Sequence, residues 1–230
     1  MERKDIHIIL DYGHAQRTPG KCSPLYSTTS GSYKEFFLTK PEFGKDRYYE
    51  YLSNRIIGKK IFSALECAGF SVHETISDIS SPIDISLTER VRRTNTICAK
   101  YGAGNCLFLS IHSNAAGNGG WMNARGWSGW TTKGQNNSDK LATSLYKFAD
   151  LYFLSDGQKV RKDATDKDPD YEANFAVIKG ANCPAILTES FFYDNKDDLM
   201  YLMSDKGVSN IVKVHLEGVL DYLKQYKGIK

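Results

Sequence analysis

Cysteine is scarce in this 230-residue chain and never arranged for a framework. The five cysteines are odd in number, scattered, and form no Cys-x-x-Cys pair, which argues against a disulfide scaffold or a cysteine-rich zinc knot. Cys67, Cys98 and Cys106 lie in apolar segments and read as small buried side chains in a reducing compartment. Long hydrophobic runs are missing too. No stretch approaches the ~18 apolar residues that span a bilayer, so no membrane segment is expected. Neither charge sign dominates: 30 Lys and Arg stand against 27 Asp and Glu, a net +3 with no basic cluster, so nucleic acid is not an expected partner. The opening Met1-Glu2-Arg3-Lys4-Asp5 has no apolar core and no cleavage site, so synthesis in the cytoplasm without a signal peptide is expected. No Gly-rich phosphate loop follows a strand, and no Ser/His/Asp or Cys/His nucleophile signature is present.

What is there is ordinary globular material, with 41% apolar and 25% charged residues. The length suits one domain over residues 1–230, large enough to bury its own core without covalent staples. Residues 6–11 form a nearly continuous apolar run, as in strands buried on both faces. A polar loop at about 15–46 follows, longer than ordinary connections. Ile57, Ile61, Ala64, Leu65 and Ala68 then recur at helical spacing, giving a helix over about 47–68 that Gly69 ends. Residues 70–74 read as a short strand. Ser86-Leu87-Thr88-Glu89 is a capping-box pattern opening a helix to about 101. A strand at 106–111, a loop at about 115–137 carrying all three tryptophans, and a helix at about 139–153 come next. A charged loop at 161–170, a strand at 185–188 and a final helix at about 208–226 complete the chain. Strand alternating with helix argues for an α/β fold on a largely parallel sheet.

Three strands end on residues that carry chemistry. His14, His112 and Glu189 each sit at, or just past, the carboxyl end of an apolar strand, the rim where open α/β sheets bind ligands. Glu50 lies in the first turn of the helix that follows the first strand, on its core-facing side, and should share that rim. A buried carboxylate there needs a partner. Two imidazoles and a carboxylate around an open position form the ligand set of a catalytic zinc site, and Glu189 would then be the carboxylate that accepts and delivers a proton. The bland readings stand beside this one: Glu50 as favourable charge at a helix N-terminus, the histidines as hydrogen-bonded turn residues, Glu189 as a surface ion-pair partner. His7, His73 and His215 read as satisfied core or edge residues.

In order along the chain stand Asp11-x-Gly13-His14, Glu50-x-x-x-Asn54, Ser110-Ile111-His112-Ser113-Asn114-Ala115, and Glu189-Ser190-Phe191-Phe192-Tyr193-Asp194-Asn195. Together they resemble the zinc-dependent N-acetylmuramoyl-L-alanine amidases of the Amidase_3 family. Glu89-Arg90 with Asn95, and Cys183-Pro184-Ala185-Ile186-Leu187, are further landmarks, so the match runs from Ile6 into the last helix. The resemblance implies a single α/β domain on a twisted, mostly parallel sheet of about six strands flanked by helices. It implies Zn2+ held by His14, Glu50 and His112, with Glu189 as the catalytic carboxylate and Asn114 near metal or substrate. Arg90 would be structural. The substrate would be peptidoglycan, cut at the amide between N-acetylmuramic acid and L-alanine. The chain departs from the family pattern at Tyr12, where proline is usual, and at Ala15, where glycine is common.

The tryptophan stretch reads either as a substrate-groove wall or as loop packing. Without an export signal, a catalytic domain of this kind would suit a phage or prophage endolysin that reaches the cell wall after membrane permeabilisation, acting as a monomer. The rivals are a zinc peptidase or carboxypeptidase, which needs a cation for a free carboxylate (Arg17, Arg90, Arg125 and Arg161 are candidates), and a non-catalytic wall-binding homologue.

Overall fold

The computed structural model describes residues 2–76, 80–117, 119–163, 165 and 167–229. Position 118 of the tryptophan loop and positions 164 and 166 of the charged loop lie outside the described residues. Six strands among the described residues make one sheet: β1 (His7–Tyr12), β2 (Ser71–Glu74), β3 (Cys106–Asn114), β4 (Ser128–Thr131), β5 (Tyr171–Glu172) and β6 (Ala185–Phe192). Their order is β2-β1-β3-β6-β4-β5. The first four in that order run parallel, β4 pairs antiparallel with β6, and β5 follows β4 in parallel.

Side-chain alternation along the central strands builds two different faces. Ile8, Leu10 and Tyr12 of β1 and Leu107, Leu109 and Ile111 of β3 point to the larger core. That core is covered by α2 (Glu50–Cys67), α4 (Asn137–Phe153) and α7 (Asp205–Lys227). The close approach of α7 to α4 needs Gly218, where a Cβ would lie 2.7 Å from the Leu145 side chain. Ile9, Phe108 and Leu187 point the other way, into a smaller core under α3 (Leu87–Tyr101) and the short α5 (Ala176–Lys179). Cys98, Cys106 and Cys183 belong to this second layer, whereas Cys67 is exposed, against expectation. Asp11, Ser110, His112 and Glu189 continue the second face toward the carboxyl ends of their strands.

Element ends differ from the sequence reading in ways that matter. The first long helix opens at Glu50 rather than near residue 47, because residues 22 and 49 form an isolated bridge and the Glu50 amide donates to the Lys21 carbonyl. The α3 cap is half the expected box: Ser86 accepts from the Glu89 amide, while the Glu89 carboxylate turns to Arg92 and Arg93. The polar loop at 15–46 contains α1 (Gly31–Leu38), and the tryptophan loop contains β4. A further helix, α6 (Lys196–Met203), is capped by Asn195, whose side chain accepts from the amides of Asp197 and Asp198. Strands β3 and β6 run past His112 and Glu189 to Asn114 and Phe192, so both residues are in the sheet rather than in loops beyond it.

Candidate metal centre

Register alone brings His112 and Glu189 together, for they are paired positions of the parallel β3–β6 ladder. A register irregularity between His112 and Asn114 marks the end of regular pairing there. His14 arrives by a sharper route. β1 ends at Tyr12, and Gly13 passes so close to the His112 imidazole that a Cβ there would lie 2.1 Å from the ring. Only glycine leaves that space. His14 then takes a left-handed conformation (φ 64°), uncommon for a residue with a Cβ, which sets the second imidazole edge-on to the first with ring centroids 5.0 Å apart.

Glu50 closes the group from α2. It is 1% exposed, and its Oε1 lies 3.1 Å from His112 Nδ1 and 3.3 Å from the Ser113 amide. Its Oε2 lies 3.5 Å from His14 Nε2 and 3.9 Å from Lys21 Nζ, and accepts no hydrogen bond. One turn on, Asn54 donates from Nδ2 to the Gly13 carbonyl at 3.0 Å, tying the helix to the glycine that makes room for His112. This explains the spacing of Glu50 and Asn54: one side chain faces the site and the other fixes its floor.

Beneath the imidazoles runs a buried ion-pair chain. Asp11, 1% exposed, accepts from the hydroxyls of Thr75 and Ser110 and from Arg90 Nη1 at 2.6 Å. Arg90 also donates to the Tyr12 carbonyl and, through Nη2, to Asp84 at 2.6 Å. Asp84 Oδ2 accepts from Thr18 and faces His14 Nδ1 at 3.9 Å. The structural role expected for Arg90 is what its contacts describe.

The electrostatics separate the two imidazoles. Burial lowers the His14 pKa to about 4, against the opposing pull of Glu50, so this ring is neutral near pH 7 with a lone pair to give. For His112, burial is outweighed by the hydrogen bond and charge of Glu50, and its pKa rises. Burial would raise Glu50, but the His112 contact and the charges of His112, His14 and Lys21 bring it down. Burial lifts Glu189 to about 7, opposed by His112 and reinforced by Glu50, and its Oε2 is buried without a hydrogen-bond partner. A carboxyl poised near neutrality can both take and return a proton.

His14, His112 and Glu189 line one cavity of about 240 Å³, whose walls include Lys21, Leu87, Phe175, Ala176 and Val177, while Glu50 stands within 3.5 Å of both imidazoles. The ligand-type atoms of His14, Glu50 and His112 lie within 4.8 Å of one another. Two imidazole nitrogens and a buried carboxylate with an undonated oxygen fit a borderline-soft divalent ion such as zinc. Asn114 is not brought in: its Oδ1 accepts from the Ala115 amide, and it does not line the cavity. Trp127 is fully buried and packs edge-on against Tyr146, so it is no groove wall. Trp121 stacks on Phe37, and Trp130 on Tyr171. Lys21, Asp84 and the α5 wall were not read from the sequence, since nothing local marks a loop residue that a distant helix will meet.

Comparison with known proteins shows the family and the shared fold. An endolysin of Bacillus phage SPP1 is 28% identical over 151 residues, 64% of this chain and 49% of that protein. The N-acetylmuramoyl-L-alanine amidase CwlM of Bacillus licheniformis is 30% identical over 135 residues, 59% of this chain and 45% of that one. The chain thus spans about half the length of the curated relatives it matches. The crystal structure of an N-acetylmuramoyl-L-alanine amidase from Clostridium difficile 630 superposes with a TM-score of 0.70 at 24% identity, covering 96% of this chain and 98% of that one, which shows the shared fold. The model of the N-acetylmuramoyl-L-alanine amidase family matches residues 8–221, from the strand that leads to His14 into the last helix, and the chain belongs to this family, Amidase_3.

Proposed function

We propose that this domain hydrolyses the amide between N-acetylmuramic acid and L-alanine in peptidoglycan, with zinc held by His14, Glu50 and His112. The observation that carries the reading is the convergence of those three side chains, with His14 and His112 opening on the same cavity as Glu189. Bound there, zinc supplies Lewis-acid polarisation of a carbonyl and acidifies a water. The chain's own residues do the rest. Neutral His14 and the Glu50 carboxylate hold the site, and Asn54 and Gly13 keep His112 in place. Glu189 takes the proton of the attacking water and returns it to the departing alanine amine. Leu87, Phe175 and Val177 give that cavity an apolar wall. The cell wall is the place of action in this reading, as for the endolysin that the chain resembles.

The carboxypeptidase alternative requires a cation at the cavity for a free carboxylate; Lys21 lines it with its side chain 41% exposed, and Arg17 is exposed in the loop after His14. Among the described residues, the cations lining the cavity are Lys21, which faces Glu50, and Arg90, which is committed to Asp11 and Asp84. Arg125 pairs with Asp197 and Asp198, and Arg161 lies over the Tyr171 and Phe192 rings.

The test is incubation of zinc-loaded protein with purified peptidoglycan and identification of the products by mass spectrometry, beside Glu189→Gln. Stem peptides beginning with L-alanine and intact glycan strands, absent with the variant and after chelation, are expected. Cuts within the peptide would replace the amidase reading with a peptidase. Wall binding without products at any concentration would leave a non-catalytic homologue.

A further inference from the structure

At the opposite, antiparallel edge of the sheet stands a second group of carboxylates that the amidase reading does not use. Asp139 comes from the first turn of α4, and Asp168 and Asp170 from the loop before β5. One oxygen of each lies within 4.8 Å of the others. Asp139 is 3% exposed and Asp170 1%, while Asp168 is half-buried.

The donors here do not suffice. Asn136 gives its amide to Asp139 Oδ2, and Gln135 gives Nε2 to Asp168 Oδ2. The Thr131 hydroxyl faces two carboxylates, Asp139 Oδ1 at 2.9 Å and Asp170 Oδ2 at 2.6 Å, with a single hydrogen to offer. Asp168 Oδ1 and Asp170 Oδ1 are buried and have no hydrogen-bond partner. Among the described residues, no lysine or arginine lies within ion-pair distance of any of the three. Lys140, on the same cavity, reaches Asn137 Oδ1 and the Tyr226 ring instead. Three carboxylates gathered in partial burial without a cation are costly, so charge must be supplied or protons taken up.

We propose that Asp139, Asp168 and Asp170 bind a hard divalent cation of the calcium class. Oxygen donors of this kind suit calcium, and two oxygens at its usual 2.3–2.6 Å can lie up to about 5 Å apart across the ion, which accommodates the observed spread. The adjoining cavity of about 340 Å³, lined by Gln135, Asn136 and Asn137, leaves room for water to complete the shell. The ion would join three segments: the end of β4 through Thr131, the start of α4, and the loop that delivers β5. That edge needs a clamp, because β5 is two residues long and pairs with β4 alone. The alternative is proton sharing, which burial and the neighbouring carboxylates make accessible by raising Asp170 to about 8.

Terbium and calcium titrations of the zinc-loaded protein separate the two. Trp130 and Tyr171, which stack on each other and adjoin Thr131 and Asp170 in sequence, are the sensitisers. We expect saturable terbium emission on aromatic excitation, displaced by calcium and lost in Asp168→Asn. A hundred-fold excess of calcium over its dissociation constant should raise the wild-type melting temperature by about 5–10 °C over a matched sodium chloride control, and leave Asp168→Asn unmoved. Absence of both responses in the wild type, or equal responses in wild type and variant, overturns the proposal. Should the variant fail to fold, the wild-type melting series in calcium against the matched sodium chloride control decides alone. Neither readout depends on the amidase activity.

Discussion

Gly13→Ala adds one methyl group where the structure leaves no room for it. The new Cβ would lie 2.1 Å from Cε1, 2.4 Å from Nδ1 and 2.5 Å from Nε2 of His112. Carbon contacts are comfortable only at about 3.5–4.0 Å, so the imidazole must retreat by more than ~1 Å. The backbone cannot yield in its place. The Gly13 amide donates to the Ile111 carbonyl at 3.1 Å, and its own carbonyl accepts from Asn54 at 3.0 Å. Overpacking of this size costs roughly 1–3 kcal/mol, which a domain of this length survives. The cost to chemistry is greater, because a displacement of about 1 Å at a reacting centre lowers the rate on the order of 100-fold. The experiment pairs a thermal melt with a zinc competition titration and a peptidoglycan-release assay. We expect a folded variant with weakened zinc retention and about 1% of the activity. A folded Gly13→Ala protein with wild-type zinc affinity and rate would refute the argument that His112 must stay where the glycine lets it lie.

Glu50→Gln keeps the shape but removes the charge between the two imidazoles, and a chelator competition should show zinc affinity down by about 100-fold or more, since even outer partners of a metal site cost 10–100-fold. Arg90→Ala leaves Asp11 buried with its ion-pair partner gone, and urea unfolding should report a loss of about 3–5 kcal/mol; a loss under about 1 kcal/mol would contradict the buried-network account. His215 is fully buried, accepts at Nε2 from the Thr188 hydroxyl and donates from Nδ1 to the Ile211 carbonyl, and burial lowers its pKa to about 4. The unfolded chain therefore binds a proton here between pH 6.5 and 4 while the folded chain does not, so stability present above pH 6.5 falls by up to about 3 kcal/mol as pH drops to 4. A His215→Gln variant should remove the share of His215 from the slope in melts across the window, leaving that of His14, whose pKa is lowered over the same range, and an unchanged slope would remove His215 as a source.

The parts of the fold that can be read from sequence are those whose pattern is set by burial alone. β1, β3 and β6 are apolar on both faces because helices cover both, so each announces itself as an unbroken run. β4 does not. Its Ser128-Gly129-Trp130-Thr131 has neither alternation nor a run, and it is a strand because Tyr146 and Ile186 pack against Gly129 and β6 offers an antiparallel edge. β5, two residues long, has no local signal, and α1 and α5 are too short for a helical stripe to emerge. Tryptophan misleads for a related reason. A large ring reads equally well as a groove wall or as packing, and Trp127 owes its burial to Tyr146 and Phe153, which lie in a helix the ring does not touch in sequence.

The candidate site is legible to a different depth. His14, His112 and Glu189 can be found because the ends of buried strands in a parallel sheet must share one rim, and Glu50 because a returning helix starts there. What the sequence does not disclose is why the group is stable. The charge on Glu50 is tolerated because two imidazoles, Lys21 and an amide of the neighbouring strand converge on it. The strained turn at His14 has a parallel explanation in Asp84, which faces that ring while held by Arg90, itself anchored by Asp11 at the end of the same strand that delivers His14. Asp11 thus connects the motif's first residue to its last by way of a helix some eighty positions away. An ion-pair chain of that kind has no spacing to recognise in sequence, because its contacts exist only after β1, β2 and α3 have docked. The candidate residues stand at three strand ends and one helix start; the contacts that hold His14 and Glu50 come from across the first half of the fold.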